Sequence, residues 1–178
     1  MAAYLALQVL YTFYLKHRVI LDIFSIGAGF VIRVVSGGLA IGVDLSPWLL
    51  ICTSLLALFL ALAKRRHELV FLKEGAAEHR QILKEYSTYL LDQMIGVVTA
   101  TTLMSYALYT ISEETIKKFG TANLIYTIPF VLYGIFRYLY LVHHKIEGGR
   151  PEEVLLTDRP LLLTVLGWTL TVIFVLYK

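Results

Sequence analysis

The sequence predicts an all-α, polytopic bundle of membrane-spanning helices, and three observations carry that reading. Hydrophobic residues make up 58% of the 178 residues and charged residues only 16%, with a mean hydropathy of +0.71. That is more apolar surface than one soluble core needs to bury, so the solvent for most of it is lipid. Apolar runs at about 19–41, 47–63, 88–111, 123–142 and 160–177 each approach the roughly 20 residues that cross a hydrocarbon core of about 30 Å. They are too long and too continuously apolar for barrel strands, and a backbone in lipid must find its hydrogen-bond partners internally.

Taken in order, the first run, AAYLALQVLYTFYL, follows Met1 without a basic leader or cleavage site and so is no secretory signal. It is about half to two-thirds of a spanning length, which predicts that the chain opens inside a helix of a longer protein. With it the bundle has about six helices in a single membrane domain, 1–178. In the second run Gly38 and Gly42 form a small-xxx-small pair, and Gly27 and Gly29 add to a surface that a neighbouring helix can approach closely. Pro47 and Pro160 open two later runs, where a missing N–H costs least. Cys52 is the only cysteine, which excludes an intrachain disulfide and reads as a packing residue. The stretch KRRHELVFLKEGAAEHRQILKEY, interrupted by Gly75, reads as an amphipathic cap over about 64–87, with a solvated helical loop as the rival.

The modest net charge of +3 says little until the charges are placed along the chain. Lys16, Arg18, Lys64, Arg65, Arg66, Lys73, Arg80, Lys84, Lys145, Arg150 and Arg159 fall in alternate connections, and Lys117 and Lys118 alone in the opposite ones. Eleven against two is a strong positive-inside bias. It predicts that 16–18, 64–87 and 143–159 face the cytoplasm of the plasma membrane and that 42–46 and 112–122 lie outside. Setting topology and touching lipid headgroups would account for many of these cations without any site.

Charges inside the spans are the sharper signal. Asp22, Ile26, Gly29 and Arg33 follow one another by four, three and four residues, so both charges share a helix face. Exposed to hydrocarbon each would cost a few kcal/mol, so the face should line a protein interior or a watery cavity. The two lie roughly 16 Å apart along the axis, too far to pair, so each needs another partner. For Arg33 the readings are a cavity role and an ion pair with another helix. Arg137, on a face with Tyr133, Tyr140 and His144, either serves a site or snorkels to the interface.

At the end of the third run, Lys64 and Glu68 are four residues apart with Arg65 on the adjacent face. Capping of the helix C-terminus is the rival reading for these cations. With Lys16, His17, Arg18 and Asp22 they make two mixed basic and acidic clusters, which is what phosphate groups would need: Arg offers paired donors, Lys a point charge. There is no phosphate-cradling glycine loop, no HExxH and no Cys/His metal spacing. His143 and His144 are adjacent and cannot face one way on a helix. The basic residues are juxtamembrane, so nucleic-acid binding has no module to support it.

The stretches YTFYLKHRVILDIFSIGAGFVIRVVSGG and SPWLLICTSLLALFLALAKRRHEL, and more weakly YSTYLLDQM and FRYLYLVHHKIEGGRPEEVLLTDRP, resemble the UbiA-type intramembrane prenyltransferases, in particular the decaprenyl-phosphate phosphoribosyltransferase branch. The resemblance implies a nine-helix bundle with a cytoplasmic active cavity, of which this chain would be the last six helices without the N-terminal three. It implies transfer of 5-phosphoribose from phosphoribosyl pyrophosphate to a polyprenyl phosphate, for cell-envelope polysaccharide precursors, with Mg²⁺ as cofactor. The family's first aspartate-rich motif, Asn-Asp-x-x-Asp, has no counterpart here, so activity of the chain alone is in question and no metal ligand is assigned.

The broader family's second aspartate-rich motif is replaced here by Lys64, Arg65, Arg66, His67 and Glu68. Two anionic substrates would make cations useful at that place. On this resemblance Asp22, Arg33 and Glu68 are catalytic candidates, and Lys16, Lys64, Arg65, Tyr86, Arg137 and Arg159 are substrate-binding candidates. The alternatives are a UbiA-type aromatic prenyltransferase, which predicts carboxylates near position 64, and an inactive membrane fragment. A transporter or scaffold would spread its polar residues through the bilayer, whereas here they crowd toward one side.

Overall fold

In a computed structural model the chain is described over residues 2–43, 45–71, 81–144, 154 and 156–177. Lys73, Gly75, Arg80, Lys145 and Arg150 lie outside the described residues, as does the 72–80 part of the expected amphipathic cap. The described residues form seven α-helices and no strand: α1 (Ala2–Phe13), α2 (Leu21–Ile41), α3 (Pro47–Phe71), α4 (Thr88–Ile111), α5 (Glu113–Phe119), α6 (Ile128–His144) and α7 (Arg159–Tyr177). Short 3₁₀ segments cover Leu15–His17, Gln81–Glu85 and Asn123–Thr127. Five stretches are long and apolar enough to cross a membrane: 21–41, 47–70, 88–111, 123–144 and 159–177. At 12 residues, α1 covers only about 18 Å and falls short of a full span.

The chain divides into two compact units, Met1–Val98 and Thr99–Lys178, each described by itself. In the first, α2 packs on α3, and α1 packs on α2. Gly42, at φ +67, ends α2, and the amides of Gly42 and Val43 both return to the Gly38 carbonyl. Only glycine takes that left-handed conformation freely. Ser46 then accepts from the Trp48 amide at 3.2 Å and α3 begins at Pro47.

The helix α3 does not stop where the apolar run ends at residue 63. It continues through Lys64-Arg-Arg-His-Glu to Phe71, so the first third of the expected cap is the extension of a spanning helix. Arg, Lys and Glu are good helix formers, and Arg65 with Glu68 pairs at i, i+3. Leaving lipid gives such a helix no reason to end.

In the second unit, α5 lies in the connection between α4 and α6. Ser112 caps it by accepting from the Thr115 amide; Glu113 and Glu114 open it and Lys117 and Lys118 close it, matching the helix dipole. The helices α6 and α7 pack on each other. Trp168 Nε1 donates to the Tyr106 hydroxyl at 2.8 Å, and that hydroxyl shares a 2.7 Å hydrogen bond with Thr127, a buried residue. Large apolar side chains such as Phe24, Leu39, Leu163 and Phe174 point outward, which suits a protein whose surroundings are hydrocarbon.

A Cβ at Gly27 would stand 3.2 Å from Leu58 on α3 with the Ser54 carbonyl behind it, whereas one at Gly37 meets nothing within 4 Å. Gly27→Leu is therefore expected to destabilise by about 1–3 kcal/mol or more through overpacking, and Gly37→Leu to be near neutral. Thermal melts of the detergent-solubilised variants check this, and equal melting temperatures would refute the close α2–α3 contact.

Candidate functional site

The helix α2 brings Asp22 in its first turn to the last turns of α3. There Arg65, 2% exposed, donates from Nε to Asp22 Oδ2 at 2.8 Å, and Asp22 is fully buried. Arg65 Nη1 donates to Glu68 Oε2 on the same helix. Tyr86, just after the 3₁₀ segment Gln81–Glu85, donates its hydroxyl to Asp22 Oδ1 at 2.8 Å and accepts the Ile20 amide at 2.7 Å. Burial pushes the Tyr86 phenol well above the usual tyrosine range, so it keeps its proton for that bond. The next residue, Arg66, pairs through Nε with Asp92 Oδ1 and ties α3 to α4.

Asp22, Arg65, Glu68 and Tyr86 thus form one continuous network. Sequence spacing suggested a Lys64–Glu68 pair; the structure pairs Glu68 with Arg65 instead and leaves Lys64 exposed. Lys16 is half-buried in the 3₁₀ segment before α2, and Arg18 donates to the Tyr14 hydroxyl at 3.1 Å with its guanidinium 5.1 Å from that ring. Lys16 and Lys64 are the candidates here that can present an ammonium group to a ligand.

Arg33 lies elsewhere on α2, exposed, with its guanidinium 5.3 Å from the Tyr4 ring and 4.7 Å from the Phe30 ring. It lines a small cavity of about 110 Å³ between α1 and α2, together with Leu7, Gln8, Tyr11, Ser25, Ile26 and Gly29. In the second unit Arg137 makes a two-pronged contact with Asp158, at 3.1 and 2.7 Å, and its guanidinium lies 5.3 Å from the Tyr140 ring. Asp158 also accepts the Leu161 amide at 2.9 Å, capping α7. Arg159 follows it, exposed.

Sequence reasoning missed the carboxylates that hold Arg66 and Arg137. Asp92 had a signal, as the sole acid in an otherwise apolar span. Asp158 had one too, as a capping residue type just ahead of a run opened by Pro160.

Asp22 and Glu68, as they are paired, do not fit a resident Mg²⁺. Asp22 has one oxygen engaged by Tyr86 and the other by Arg65, and Glu68 Oε2 is engaged by Arg65. No group of three or more His, Cys, Asp and Glu among the described residues is arranged for a metal ion. What this arrangement does chemically is fix a buried cation between two carboxylates and lock two helix ends and a connecting segment together.

Arg65→Met would leave Asp22 buried without its cation and is expected to cost about 3–5 kcal/mol. The double variant Asp22→Asn/Arg65→Met should recover most of that loss, because no uncompensated charge remains. Denaturant unfolding in mixed micelles measures both, and a double variant no more stable than Arg65→Met would show that the pair is not what couples the helices.

No family model matches the chain. Among curated proteins it is 32% identical over 176 residues to a decaprenyl-phosphate phosphoribosyltransferase of Corynebacterium glutamicum, covering 98% of this chain and 52% of that protein. It is 33% identical over 180 residues to the protein of that name in Mycolicibacterium smegmatis, and 33% identical over 174 residues to that of Mycobacterium tuberculosis, each time covering 97% of this chain and 56% of the relative. The chain therefore spans about half the length of the relatives it matches. With five stretches of spanning length among the described residues, it is an integral membrane protein, similar over nearly all of its length to about half of proteins named decaprenyl-phosphate phosphoribosyltransferase.

Proposed function

We propose that the protein carrying this chain transfers 5-phosphoribose from phosphoribosyl pyrophosphate to a polyprenyl phosphate. The observation that carries the reading is the similarity, over 97% or more of the chain, to three proteins that all bear the same enzymatic name. In this reaction the bond between the ribose anomeric carbon and pyrophosphate breaks, an oxygen of the lipid phosphate bonds to that carbon, and pyrophosphate leaves. The attacking group is already an anion, so no general base is needed.

The chain's own residues divide the work. Lys16 and Lys64 supply ammonium groups on flexible stems for the phosphates of the donor. Asp22, Arg65 and Glu68 hold the helix ends that carry those lysines. Arg33, a cation on a spanning helix that lines the small cavity between α1 and α2, offsets lipid phosphate charge. Mg²⁺ would assist departure of the pyrophosphate; Asp22 and Glu68, engaged by Arg65 and Tyr86, are not assigned as its ligands. On this reading the Lys16 and Lys64 end faces the cytoplasm at the plasma membrane, where a soluble sugar phosphate is available; the bias of Lys and Arg toward that end supports the orientation.

Membranes containing the complete protein, given a polyprenyl phosphate and phosphoribosyl pyrophosphate labelled in the ribose, should move label into the organic phase. Label that stays wholly aqueous would overturn the reading. Arg33→Ala should lower turnover on the order of 100-fold while membrane insertion is retained, and unchanged turnover would remove Arg33 from the site.

A further inference from the structure

Ile20 is the one non-glycine residue with positive φ among the described residues, at φ +70 and ψ −45. The Leu21 amide donates to the Val19 carbonyl at 2.8 Å, closing a three-residue turn around it. This is a γ-turn of the rare, strained hand, centred on a β-branched residue that resists such a backbone. A conformation like this persists only where the surroundings over-determine it.

The surroundings do so through one hydroxyl. Tyr86 accepts the Ile20 amide at 2.7 Å and donates to Asp22 at 2.8 Å, 66 and 64 residues away in sequence. Asp22 is itself fixed by Arg65, and its amide donates to the Arg18 carbonyl at 3.1 Å. The turn thus joins the start of α2 to the segment bearing Lys16 and Arg18. Tyr86 is 4% exposed and its hydroxyl already both donates and accepts, so it is poorly placed to contact a substrate.

We infer that Tyr86 is a positioning residue: its hydroxyl holds the strained turn at Ile20 and so fixes the placement of the Lys16–Arg18 segment against the phosphates of the sugar donor. This rests on the phosphoribosyl-transfer reading. It assigns Tyr86 to the connection between α3 and α4 acting on the entry to α2, in place of substrate binding.

The test uses the complete protein in nanodiscs. Tyr86→Phe keeps the ring and removes the hydroxyl. It is expected to speed amide exchange of the peptide containing residues 19–21, and to raise KM for phosphoribosyl pyrophosphate, each about tenfold, equivalent to roughly 1.4 kcal/mol, with kcat little changed. Adding Ile20→Gly should bring KM back to near the wild-type value, since glycine takes φ +70 without steric penalty.

Unchanged exchange in Tyr86→Phe overturns the inference. So does a KM that Ile20→Gly fails to restore, because holding the turn would then not be how Tyr86 acts. Exchange is read without turnover, which separates the two readings. A protein with no transferase activity whose exchange still depends on Tyr86 sinks the reaction and keeps the latch at Ile20. An active protein with unchanged exchange sinks the latch alone.

Discussion

Arg65 carries a full positive charge into a place that is almost closed to solvent, and the polar architecture of the first unit follows from compensating it. Removing an ion of that size from water costs several kcal/mol even after relaxation, so a lone cation there would not be tolerated. Asp22 and Glu68 supply the opposing charge, and Tyr86 completes the second oxygen of Asp22. Each of these residues belongs to a different local context: the first turn of α2, the last turns of α3, and the segment leading into α4. Because one partner without the others is worse than none, the three segments are fixed as a set. Such a network contributes less to net stability than to a single arrangement of helix ends.

Many of the other hydroxyls obey the rule that lipid offers no hydrogen bonds. Ser25, Ser54, Thr164, Thr169 and Thr171 each turn their hydroxyl back to the carbonyl four residues earlier. Self-satisfaction of this kind lets a hydroxyl sit anywhere on a spanning helix. Trp168, Tyr106 and Thr127 solve the same problem together in the second unit, each serving as another's partner. Arg137 and Asp158 meet as a bidentate pair that also caps α7.

Much of this was legible from the chain. Span positions follow from hydrocarbon thickness, and four of the five spanning stretches begin and end within two residues of the apolar runs. The need of Asp22 for a partner is legible, because a carboxylate in a spanning helix is expensive and Arg33 is too far along the same helix. That its partner is Arg65 was not legible, since 43 residues and a helical hairpin separate them in sequence. The chain reverses between α2 and α3 after the left-handed cap at Gly42 and before the helix that starts at Pro47. The length of α3 was misjudged for a related reason. Hydropathy marks where lipid ends, while the helix ends where its hydrogen bonding and propensities fail. The strained turn at Ile20 had no signal, because an isoleucine is the last residue type that would suggest positive φ.

The overrun of α3 past its apolar segment has a consequence for where chemistry can take place. From Pro47, 18 residues carry the helix about 27 Å to Arg65, close to the thickness of the acyl region. The turns bearing Lys64 and Glu68 therefore stand at the level of the headgroups. For the proposed reaction, a sugar phosphate arriving from water and a lipid whose chains stay dissolved among acyl tails would meet at a shared depth. Neither has to cross a solvent boundary before the new bond forms.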